Sequence, residues 1–127
     1  MKNIAAIFFG TAIGLLAVAV PLCAHHGNAI YDVTKTTTVR GTVSDFQFVN
    51  PHVLIYFDVK DESGKVAKWV AEGMSPNMLV RQGWNKNILK PGDQVTAEGH
   101  RSRTGSNLIM IQKLVLSNGR EIFPVLQ

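Results

Sequence analysis

The chain has one cysteine in 127 residues, Cys23, so an internal disulfide and a thiolate metal cluster are both excluded. Charge is sparse as well: 13 Lys+Arg against 9 Asp+Glu, only 17% charged in all, with no run of five or more basic residues. Neither a basic arm nor an acidic tail is present, and nucleic acid is not expected as a partner. Aromatic residues make up 8% of the chain, enough for one core and too few for an extended stacking surface. No G-x-S-x-G, no H-E-x-x-H and no phosphate loop occurs, so no enzyme is recognised. There is no internal repeat and no low-complexity tract. Long disorder, collagen, coiled coil and a multi-span membrane protein are excluded by composition.

The one long apolar run is at the front. Lys2 is the only charge before the stretch 4–20, Pro21 breaks it, and small residues follow. That is the charged, apolar and cleavage-site order of a secretory signal. The run is at the short limit for a membrane span, so an uncleaved anchor is the alternative. A cut after Ala24 is favoured, because Pro21 stands just upstream; Ala17-Val18-Ala19 offers the other site. Leu22 before Cys23 does not support lipid attachment. With the cut after Ala24, residues 25–127 form one exported, periplasmic domain with no membrane span and no thiol, and stability must come from its core.

The body reads as strands. Residues 36–48 are rich in β-branched and aromatic side chains, with Val39, Gly41 and Val43 in phase and the apolar phase then slipping to Phe46 and Phe48. The slip predicts a bulge, with Gly41 allowing a sharp bend. Asn50-Pro51 ends this strand. Residues 52–60 and 65–72 pair across the turn Asp61-Glu62-Ser63-Gly64. Ser75-Pro76 opens a short helix to about Gln82, stopped by Gly83 and packed through Met78, Leu79 and Trp84. Strands follow at 94–100 and 108–116, and Asn118-Gly119 predicts a two-residue hairpin into a last strand, 121–125. One helix between the third and fourth of five strands is the order of an OB-type barrel. The expected fold is therefore all-β with one short helix, a small OB-like barrel of five to six strands preceded by an N-terminal arm, residues 25–35. A small open sandwich is the competing architecture.

Histidines are the one chemical constellation. The chain has four, His25, His26, His52 and His100. The first two open the mature chain, His52 ends the loop joining strands one and two, and His100 borders the loop joining strands four and five. In an OB-type barrel those two loops flank one face. Imidazole is the commonest metal ligand near neutral pH, and a thiol-free nitrogen site favours copper(II), with zinc next. A cut after Ala24 would give His25 a free α-amine beside its imidazole, so that one residue could chelate an ion in the manner of a histidine brace. Each histidine also has a plainer reading: a solvated chain start for His25 and His26, a turn hydrogen bond for His52, a solvated loop residue for His100.

Trp69 and Glu72, at the end of the third strand, are candidate ligand-face residues, with Glu72 able to join a metal site. Trp69, Trp84, Phe46 and Phe48 fit a stacking platform or, more simply, the core. Met74 and Met78 fit copper(I) or packing.

Ala24-His25-His26, Asn50-Pro51-His52-Val53, Trp69 with Glu72, Ser75-Pro76, Leu79, Gly83-Trp84 and Leu89-Lys90-Pro91-Gly92-Asp93 together resemble an uncharacterised bacterial exported family, domain of unknown function 6152. The resemblance spans residues 24–122. It implies a periplasmic location and a small β-rich domain, and supplies no activity. His25, His26, His52, Trp69, Glu72 and Trp84 match its pattern; His100 lies outside it.

These readings lead to a periplasmic binding protein that holds a metal ion, copper before zinc, for capture or delivery. The alternative is a non-metal adaptor domain for a peptide, glycan or envelope protein. A small copper oxygenase is a third.

Overall fold

The computed structural model describes residues 28–124. The expected leader and cleavage sites, His25 and His26 lie outside the described residues. Among those described, no helix is long and apolar enough to cross a membrane.

A single 3-10 turn, Asn28–Ile30, leads into six strands and one helix: β1 (Thr37–Gln47), β2 (Leu54–Lys60), β3 (Val66–Glu72), α1 (Pro76–Val80), β4 (Gln94–Arg101), β5 (Leu108–Leu116) and β6 (Glu121–Ile122). The sheet order is β3-β2-β1-β4-β5-β6, and a parallel pairing of β3 with β5 closes the first five strands into a barrel. The fold is thus the expected OB-like barrel with one short helix and one extra strand.

Alternation decides which side chains go inside. Val39 and Val43 of β1, Ile55 and Phe57 of β2, Ala71 of β3, Val95 and Ala97 of β4, and Ile109, Ile111 and Leu114 of β5 form one buried cluster. Strand residues between them face outward. Leu79 and Trp84 plug the cluster from the α1 segment.

The register slips between Val43 and Asp45, which places the bulge at Ser44, inside the expected phase slip from Val43 to Phe46. Other local expectations shift. Gly41 answers to a different constraint. A Cβ there would lie 2.5 Å from the Asp58 carbonyl oxygen and 2.8 Å from the Phe57 ring, so the crossing of β1 over β2 leaves room only for hydrogen. The helix is shorter than expected, ending at Val80 rather than Gln82. The chain leaves it through a Schellman turn: Trp84 N–H donates to the Leu79 carbonyl at 3.1 Å and Gly83 N–H to the Val80 carbonyl at 3.1 Å. Ser75 occupies the N-cap position without a side-chain capping bond. Ser117, Asn118, Gly119 and Arg120 connect β5 to β6, with Leu116 N–H donating to the Arg120 carbonyl and Gly119 N–H to the Leu116 carbonyl, both at 2.9 Å. The pair Leu116 and Arg120 encloses three residues, with Gly119 left-handed at φ 81, in place of the two-residue turn. The last strand ends at Ile122.

Candidate functional site

The arm after the 3-10 turn docks on the end of β4. Tyr31 bridges Ser102, Asp32 N–H donates to the Arg101 carbonyl at 2.9 Å, and Arg103 N–H donates to the Ile30 carbonyl at 2.9 Å. The Arg103 guanidinium adds a bond to the Tyr31 carbonyl at 3.0 Å. Tyr31 is thereby 3% exposed, yet it is not part of the barrel's interior cluster. Its hydroxyl reaches Glu72 on β3. The Tyr31 side chain thus links the end of β4 to the end of β3.

Glu72 faces outward because its neighbour Ala71 faces the core. Leu54 is its cross-strand partner. Val53, one residue earlier, is fully buried and tied at both ends, its N–H to the Met74 carbonyl at 3.0 Å and its carbonyl to Gly73 N–H at 2.9 Å. With Val53 pointing in, His52 points out on the face that carries Glu72, one diagonal step away. The loop before it contains a cis Asn50–Pro51 peptide. His52 Nδ1 pairs with Glu72 Oε1, with the histidine side chain 46% exposed and the glutamate 22%.

Glu72 is therefore held from two sides. Tyr31 donates its hydroxyl to Oε2, and His52 Nδ1 sits at Oε1. Burial pushes the Tyr31 phenol well above its ordinary value, reinforced by its bond to Glu72 and then by the carboxylate charge. At neutral pH the phenol is a fixed donor. A carboxylate can only accept, so the His52 nitrogen facing it carries a proton and Nε2 is left with the lone pair in the neutral ring.

His100 lies on the same outer face. Glu72 pairs in register with Met110 of β5, and Met110 with His100 of β4. Two strand steps separate the Glu72 and His100 backbones, roughly 10 Å. His100 Nδ1 is 2.9 Å from the Lys35 carbonyl, so this ring pins the arm a second time, and its Nε2 again keeps the lone pair. Lys35 and Asp32 also pair, at 3.9 Å. Asp32 stays below the usual carboxylate range mainly because the Thr34 hydroxyl donates to it.

Trp69 does not join this face. It packs against the core cluster, and the Arg101 guanidinium lies 4.8 Å from its ring centroid. Arg101 also donates to the Ser106 carbonyl at 2.9 Å, to the Gly105 carbonyl and to Asn107 Oδ1 at 2.9 Å. Trp69 and Glu72 thus serve opposite sides of β3. Trp84 and Phe46 pack together at 6.4 Å and Phe46 with Phe48 at 6.0 Å, all in or against the core.

Of the expected residues, the structure brings His52 and Glu72 into contact and sets His100 two strands away on the same face. Among the described residues no group of three or more His, Cys, Asp or Glu can hold a metal ion. Sequence reasoning misses Tyr31. The signal for it is modest: the one tyrosine of the arm, a few residues after the paired histidines.

A family model described as a family of unknown function, DUF6152, matches residues 12–110. No curated protein matches the chain. Among solved structures, the mitochondrial single-stranded DNA binding protein Rim1 from S. cerevisiae is similar at 10% identity and a TM-score of 0.50, over 65% of this chain and 93% of that one. TiaS, in its complex with a tRNA and ATP, is similar at 19% identity and a TM-score of 0.47, over 67% of this chain and 18% of that one. At such identities the likeness to Rim1 is one of fold alone.

Proposed function

The chain belongs to the DUF6152 family, and on that premise we propose that it is an exported, periplasmic metal-binding module, with copper(II) the favoured ion, that uses His52 together with the N-terminal histidines. The leader is cut after Ala24, so the mature chain starts at His25. The supporting observation is the docking of the arm. Tyr31, the arm's buried anchor, bonds the same carboxylate that His52 touches. His25 is six residues before Tyr31; with Asn28–Ile30 in a 3-10 turn, the span is at most roughly 17 Å. The α-amine and imidazole of His25, or the imidazole of His26, are therefore within reach of the His52 ring. Three nitrogens of this kind suit copper(II) above other first-row divalent ions, with zinc as the next choice. The proposed role is capture or delivery of the ion.

The test is a copper(II) titration of purified mature protein, with intact mass to locate the cut. The expected result is one ion per chain, with His25→Ala and His52→Ala each weakening binding by more than about tenfold. No binding at about micromolar copper, or unchanged binding in both variants, overturns the reading.

One observation favours a second reading. Val49 is 51% exposed in the loop that carries His52, which suits an adaptor surface for an envelope protein, peptide or glycan. Partner capture that persists in a chelator would favour it.

A further inference from the structure

Glu72 is the point where the arm and the His52 loop meet, and its chemistry specifies more than proximity. We propose that Glu72 is a positioning residue rather than a metal ligand: it fixes His52 with Nε2 as the donor nitrogen and, through Tyr31, ties the N-terminal arm to the same spot, leaving an all-nitrogen site for a borderline divalent cation. The ligand half of this inference rests on the metal-binding reading; the orienting half does not.

Three observations carry it. First, both carboxylate oxygens are engaged, Oε2 by the Tyr31 hydroxyl and Oε1 by His52 Nδ1. Such a carboxylate orients its partners more readily than it opens to a cation. Second, the proton on Nδ1 is dictated by an acceptor that has none to give, so the lone pair sits on Nε2. A free histidine side chain in its neutral form carries the proton mainly on Nε2, so its placement on Nδ1 here comes from the contact. A carboxylate behind a ligating imidazole also raises its basicity and fixes the ring plane. Third, Tyr31 is buried outside the interior cluster and links the end of β4 to Glu72 on β3. Its hydroxyl has one visible purpose, to lock residues 30–35 on this face, a task it shares with the His100–Lys35 contact. With the carboxylate withheld, the donors are imidazole and amine nitrogens. Oxygen-preferring magnesium, calcium and manganese are then disfavoured, and copper(II), then zinc, is selected.

The experiment uses mature protein without metal at pH 8, and reads the His52 tautomer by imidazole nitrogen NMR and the arm by amide exchange. The wild type is expected to show His52 protonated on Nδ1 and protected amides near Tyr31. Glu72→Ala should move the proton to Nε2. Glu72→Gln has one acceptor oxygen and one N–H2 donor where the native residue has two acceptors, so only one of the two contacts can keep its native direction. Tyr31→Phe should leave the tautomer unchanged and raise arm exchange by about tenfold. With copper(II), Glu72→Ala should bind about 10- to 100-fold more weakly while still binding one ion. A His52 tautomer that is Nε2–H in the wild type, or that does not respond to either Glu72 variant, overturns the positioning role. Complete loss of copper binding in Glu72→Gln with its tautomer intact makes Glu72 a ligand and overturns it too. A wild type that binds no copper but shows the Nδ1–H tautomer sinks the metal reading and leaves the Glu72 latch standing.

Discussion

The barrel interior and the outer face under the arm are packed on different terms. Inside, the cluster from Val39 to Ile122 is aliphatic and aromatic, drawn from every strand, and many small contacts share the load. Outside, one buried phenol, one carboxylate and one imidazole meet, each contributed by a different segment. The interior stabilises through area removed from water, a non-directional term that tolerates adjustment. The outer site depends on a few directed bonds, so a single atom can switch it off. The fold should therefore survive changes that abolish the site, and changes that damage the interior should take both.

The largest effect is expected where backbone meets backbone. Gly99 lies at the register shift of β4 against β5. A Cβ there would stand 1.9 Å from the Met110 carbonyl oxygen, a distance no rotamer can relieve. Gly99→Ala should force the two strands apart and cost several kcal/mol, more than about 3, with a matching fall in the denaturant midpoint. It should also displace His100 and Met110, so the outer face goes with the core. A folded Gly99→Ala protein of native stability would show that the closure of β4 on β5 is looser than described. Next is the interior itself. Phe57 is 1% exposed at the centre of the cluster, and Phe57→Ala should cost about 3–5 kcal/mol. Phe57→Leu should recover much of that, because interior packing responds to volume.

Tyr31→Phe separates the two regions most cleanly. Only an oxygen is removed, so the ring stays buried, and the expected loss is about 1–2 kcal/mol from an unmet charge-assisted bond. The pH dependence has a defined sign. The folded phenol titrates above its unfolded value, so its contribution is complete below about pH 10 and disappears as pH rises through the folded value. Wild type and Tyr31→Phe should therefore differ most at neutral pH and converge in strong alkali. A difference that grows with alkali would mean the hydroxyl is not the donor to Glu72.

The same contrast explains what can be read from the sequence. Interior residues announce themselves by period: Ile55 and Phe57 alternate, Ser75-Pro76 marks a helix start, and Gly83 marks its stop. Those signals are local, and the barrel order follows from them. The bulge is visible as a phase slip between Val43 and Phe46, and the partner strand narrows it to Ser44, since a slip is a property of a pair of strands. His52 and Glu72 are legible one by one as polar residues at strand ends. Their meeting needs the register of β2 on β3. The Tyr31–Glu72 bond spans 41 residues and an intervening strand, and no local pattern encodes a contact of that kind. Trp69 fails as a partner of Glu72 for a simple reason: three residues apart on a strand means opposite faces.

The smallest effect tests whether the Trp69 side of β3 is independent of the Glu72 side. Arg101 lays its guanidinium on Trp69 and holds the β4–β5 loop through Ser106, Gly105 and Asn107. Lysine would keep the charge but lose the planar fork and most of the stacking, so Arg101→Lys should cost about 1 kcal/mol. The Arg101 carbonyl, which receives the Asp32 N–H, is backbone and survives the change. The arm should therefore stay docked, with the His52 tautomer and the Tyr31 environment unaltered, while exchange rises in the loop at residues 103–107. Should Arg101→Lys instead release the arm as fully as Tyr31→Phe does, the two sides of β3 are mechanically joined, and the outer site would have to be described together with the loop that follows β4.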